Sequence, residues 1–77
     1  MILNSIISLL SGIISVPEEE IEASIPLTAE YGIQGIDIAK LVIEIEKCFK
    51  ITIYDEDVHT FQILSDVEKY VQALIEE

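Results

Sequence analysis

Basic residues are almost missing from this chain: four stand against fifteen acidic ones, a net charge of −11. Nucleic-acid phosphates would repel such a surface, so nucleic acid is excluded as a partner, whereas basic protein surfaces suit it. Cysteine is nearly absent too. Cys48 alone excludes an internal disulfide and makes a reducing, cytoplasmic setting the default. With one distant histidine, His59, it offers too few ligands for zinc. The uncharged start, Met1 to Pro17, is broken by Asn4, Ser5, Ser8, Ser11 and Ser15. It falls short of the ~20 residues a membrane span needs and lacks the cationic lead-in of a secretory signal.

Catalytic patterns are also lacking. Gly32 and Gly35 are not followed by the Lys-Ser or Lys-Thr of a phosphate-binding loop. No Ser-His-Asp or Cys-His spacing supports a nucleophile. Asp55-Glu56-Asp57 lacks the alternating ligands and central glycine of a calcium loop and reads as a helix cap. No metal site and no enzyme activity are expected.

What is present is a patterned apolar half: 51% of the 77 residues are hydrophobic, enough for one small domain spanning 1–77. Leu3, Ile6, Ile7, Leu10, Ile13 and Ile14 share one side of a first helix, with Asn4, Ser5, Ser8, Ser11, Gly12 and Ser15 opposite. Pro17 and Glu18-Glu19-Glu20 end it. A long connection follows to Tyr31, with a short turn expected near Glu18–Ile21 and Ile21, Ile25, Leu27 and Tyr31 as anchors. A second helix is predicted over Ile36–Phe49, with Ile38, Leu41, Val42, Ile45 and Phe49 as its core face. Cys48, on the edge of that face, reads as inert packing. Ile36, Ala39 and Ile43 form a second apolar stripe on nearly the opposite side, beside Lys40 and Lys47. That stripe either packs against neighbouring segments or serves a partner. Ile51–Tyr54 reads as an extended link that buries Ile51 and Ile53. A short third helix is predicted over Asp57–Thr60, with Val58 and Phe61 inward. A last one starts near Leu64 or Ser65, with Val67, Tyr70, Val71 and Leu74 inside. The fold class is therefore all-α, a small four-helix bundle with three longer helices and one short third helix.

Gly32-Ile33-Gln34-Gly35-Ile36-Asp37 aligns without gaps on the Gly-x-Asp-Ser-Leu-Asp motif that heads the second helix of acyl carrier proteins. Leu41-Val42-x-x-Ile45-Glu46-x-x-Phe49, Ile51-x-Ile53-x-Asp55-Glu56-Asp57 and Phe61-x-x-Leu64-x-Asp66-Val67-x-x-Tyr70-Val71 extend the match. From Ser15 to Leu74 the chain resembles the acyl carrier protein family, the carriers of fatty-acid, polyketide and nonribosomal peptide synthesis. The resemblance implies a phosphopantetheine carrier fold, a cytoplasmic monomer, and synthase-type or other carrier-recognising partners with basic surfaces. It also implies a docking surface at Ile36, Asp37, Ile43, Glu44 and Glu46. The family's serine carries 4′-phosphopantetheine in phosphodiester linkage. Here Gly35 occupies that position without a nucleophile, so no cofactor is expected on the sequence as it stands. Ser24 and Thr28, in the first loop, do not replace it.

The other departures are Gln34 for the motif Asp, Lys40, Lys47 and Cys48 where glutamates are usual, Tyr54 for a proline, and Ile63 for a capping threonine. Several simultaneous changes read as natural divergence rather than an engineered block of one residue. The expected role is a non-modified docking module. The alternative is a genuine acyl carrier, with Gly35 a substitution or the arm attached elsewhere.

Overall fold

A computed structural model describes residues 2–76. Its described elements are α1 (Ile2–Ile14), α2 (Gly35–Phe49), the single-turn α3 (Asp55–Val58) and α4 (Leu64–Glu76), with no strand longer than one bridge. No helix among the described residues is long and apolar enough to cross a membrane.

Helix α1 packs against both α2 and α4. Ile6 and Leu10 on it are wholly buried. Its apolar arc is broader than the sequence pattern implied, because Ile2 and Leu9 also pack on the core. The helix closes through Ser15 in the left-handed region (φ 59°), whose N–H donates to the Ser11 carbonyl at 2.9 Å. The Ser11 hydroxyl donates to the Val16 carbonyl at 2.6 Å. Ser11 is thus half-buried at a helix stop rather than facing solvent.

The long connection is held at both ends of its path. Short 3-10 turns lie at Glu18–Glu20 and Ala29–Tyr31. Ile21 and Leu27 are buried and Ile25 is partly so. Tyr31 is not an anchor: it is 57% exposed, and Ile33 is buried in its place. Gly32, at φ 77°, turns the chain in the left-handed conformation that suits glycine, and the Ile33 N–H donates back to the Thr28 carbonyl at 3.1 Å. Farther back, the loop pairs with the entrance of α4. Leu27 N–H donates to the Gln62 carbonyl at 2.9 Å, Leu64 N–H to Ile25 at 3.1 Å, and Ser65 N–H to Ala23 at 2.8 Å. These bonds satisfy loop carbonyls and the first N–H groups of α4 together.

Helix α3 begins two residues earlier than expected, at Asp55, with Tyr54 in the capping position. Its three acids fill the first turn, where the helix dipole favours them. Asp57 does not cap; it accepts the Tyr70 hydroxyl at 2.6 Å. Phe61 meets the Tyr70 ring edge-on at 5.3 Å. At the start of α4, Asp66 Oδ2 accepts the N–H groups of Gln62 (2.9 Å) and Ile63 (3.1 Å), so a first-turn acid supplies the reciprocal half of a capping box although Ile63 has no side-chain oxygen to supply the other.

The centre of the core is Ile6, Leu10, Ile33, Leu41, Ile45, Leu64 and Val71. Phe49 sits at its rim, half-buried. No buried polar side chain is found among the described residues.

Candidate functional site

The head of α2 is set by its backbone. Gln34 is extended (φ −96°, ψ 169°) and Gly35 is the first helical residue. The Gln34 N–H donates to Asp37 Oδ2 at 2.9 Å, and the Gln34 carbonyl accepts Asp37 N–H (3.0 Å) and Ile38 N–H (3.1 Å). Asp37 therefore closes the reciprocal half of a capping box, and its charge stabilises the positive helix end.

Gly35 itself is exposed. A Cβ built on it meets nothing within 4 Å, and its φ lies outside the left-handed region. Neither sterics nor backbone conformation requires glycine there; a serine would fit. Gly35 offers a phosphodiester no oxygen, so the residues present do not fit covalent attachment of a phosphopantetheine arm at this position.

A groove of about 280 Å³ begins at Gly35 and runs between α2 and α3. Ile38, Val42, Ile53 and Val58 line it, with Ala39 and Ile43 beside them. Its far wall is tied by Glu46, whose Oε2 accepts the Ile53 N–H at 2.8 Å.

The five residues of the expected docking surface thus divide. Ile36 is 63% exposed and Ile43 49%, and the covered side of Ile43 faces the groove with Ile53 and Val58. Glu44 is exposed, while Asp37 and Glu46 are half-buried with backbone partners. Cys48 is exposed rather than packed. Ser24 lines a separate cavity with Glu20, Glu22, Ile25, Pro26 and Tyr31, a group that does not include the head of α2. Among the described residues, no group of three or more metal-ligating side chains is found.

Two titratable groups report on the scaffold. The Gln62 and Ile63 amides hold the Asp66 carboxyl below its ordinary value. The hydrogen bond to Asp57, followed by burial, pushes the Tyr70 hydroxyl up to about 12. The Glu46 tie and the Tyr70–Asp57 link both join distant segments, and no local spacing announces them. The Asp66 cap was readable as an acid three residues after position 63.

The sequence pattern of the phosphopantetheine attachment site family matches residues 4–71. The chain belongs to the acyl carrier protein family. An acyl carrier protein of Phytoplasma mali (strain AT) is 29% identical over 76 residues, covering 99% of this chain and 90% of that protein. An acyl carrier protein of Phytoplasma australiense is 26% identical over 72 residues, covering 94% and 95%. Membership makes this a carrier-type module rather than an enzyme, and implies contact with synthase-type enzymes.

Proposed function

We propose that this single-domain chain is a carrier-type docking module that is never loaded, acting as a cytoplasmic monomer on carrier-recognising enzymes. Gly35 carries this reading: the attachment position keeps an open, well-formed helix head and lacks the oxygen that loading needs. The docking surface is Ile36 and Ile43 with Asp37, Glu44 and Glu46 around them, and basic residues of the partner meet those acids. Uncovered isoleucines beside acidic groups suit an interface in which apolar contact holds and charge guides approach. Of the three acids, Glu44 is the freest to take part.

The test is intact mass after incubation with coenzyme A and a broad-specificity phosphopantetheinyl transferase. The protein as it stands stays unmodified, and Gly35→Ser, with Gln34→Asp if needed, gains one phosphopantetheine. Modification of the unaltered chain overturns the proposal.

The groove leading from Gly35 favours a second reading, a true acyl carrier, since it offers apolar shelter beside the attachment position. That reading requires the arm on protein isolated from its own cells.

A further inference from the structure

Three of the chain's four basic residues lie on or just after α2: Lys40, Lys47 and Lys50. Lys40 and Lys47 are exposed. Acids stand three or four residues away at Asp37 and Glu44, yet among the described residues neither lysine forms an ion pair. In a chain of fifteen acids and four bases, two cations without ion-pair partners on one helix face interrupt an otherwise acidic surface.

Their position is set by helix geometry. At 3.6 residues per turn the two lysines lie about 40° round the helix from Ile36 and Ile43, and about 60° from Asp37 and Glu44. They stand about 10 Å apart along the axis, flanking Ile43. The outer face of α2 therefore carries three rows in order: apolar, cationic, acidic. A wholly basic partner would set like charges against the row nearest the apolar anchors, which is unfavourable.

We propose that this face binds an amphipathic helix of another protein whose apolar edge covers Ile36 and Ile43 and whose adjoining flank, over Lys40 and Lys47, is acidic. The proposal rests on the docking reading above and specifies the partner's charge pattern; basic groups beyond the acidic flank still meet Glu44. Nucleic acid and anionic bilayers present dense, uniform negative charge to the whole molecule, which its net charge of −11 opposes. A helix with a few acids engages the two lysines locally.

Two synthetic helical peptides provide the test, alike in their apolar edge but carrying glutamates or lysines on the flank that faces Lys40 and Lys47. Binding is followed through the backbone amide resonances of the isotopically labelled full chain at physiological ionic strength. The glutamate-flanked peptide shifts the amides of α2 from Ile36 to Lys47 and binds about tenfold tighter than its counterpart. The double variant Lys40→Glu/Lys47→Glu, at exposed positions, keeps the fold by circular dichroism and reverses the preference. If both peptides bind this face equally and charge reversal changes nothing, the acidic-flank proposal fails while the docking reading stands, provided Ile43→Ser abolishes binding. If neither peptide moves the α2 amides, or binding survives Ile43→Ser, the docking reading fails with it.

Discussion

Glu46 is one of the acids that carrier resemblance assigns to partners, yet its carboxylate is already occupied. Oε2 accepts the Ile53 N–H at 2.8 Å, fixing the extended link before α3 to the last turns of α2. Glu46→Ala removes the acceptor and leaves a backbone donor beside the buried Ile53 side chain. A hydrogen bond to a charged group is worth about 1.5–3 kcal/mol when well buried. Glu46 is half-buried and its neighbours Thr52 and Tyr54 are exposed, so water recovers part of that, and a loss of about 1–2 kcal/mol is expected. A core of this size supplies only about 3–5 kcal/mol in all. The loss corresponds to a fall of roughly 4–15 °C in Tm. Thermal and urea unfolding followed by circular dichroism measure it, and hydrogen exchange at the Ile53 amide locates it. Glu46→Gln keeps an acceptor and loses less. Glu44→Ala, at an exposed residue with no bond among the described residues, stays within about 0.5 kcal/mol of the parent. Equal stability of Glu46→Ala and Glu44→Ala, with unchanged exchange at Ile53, refutes the structural role of Glu46.

Two further expectations follow from the packing. Ile45→Ala, at a residue with no exposed surface, costs about 2–5 kcal/mol, enough to unfold much of the population. Phe49→Ala at the rim costs roughly half the 3–5 kcal/mol of a buried ring. Ile45→Val, about 0.5–1.5 kcal/mol, keeps the ranking measurable; a denaturant midpoint for Phe49→Ala below that of Ile45→Ala would contradict the assigned core. The Tyr70 hydroxyl, raised from 10.0 to about 12, holds its proton more tightly in the folded state. Its contribution is therefore complete below pH 10 and is lost as pH rises through about 12. Tyr70→Phe should remove that alkaline dependence and cost about 1 kcal/mol at neutral pH; an unchanged alkaline limb in the variant would show that Asp57 is not its partner.

The fold was legible wherever one helix dictated its own burial. Leu41 and Ile45 sit four residues apart on α2, and Val67 and Val71 repeat that spacing on α4, so periodicity alone turned them inward. It failed where backbone geometry or a distant partner decided. Tyr31 looked like an anchor because it is large, but the left-handed turn at Gly32 carries the chain past it and buries Ile33. Asp57 looked like a cap because acids favour helix starts, but Tyr70, thirteen residues away, claims its carboxylate. The pairing of the first loop with residues 62–65 has no local signature at all.

The site divides in the same way. The missing oxygen at residue 35 is plain from the sequence, but whether packing forced it is not. The structure answers with free space around Gly35 and a backbone any residue could adopt. A glycine that fills no close approach and makes no left-handed turn has no structural reason to be glycine, since almost any other residue would hold a helix start at lower entropic cost. Stability therefore does not account for its identity. Nothing in the packing around the head of α2 explains the glycine, and Gly35→Ser should leave the fold and its stability within about 0.5 kcal/mol of the parent.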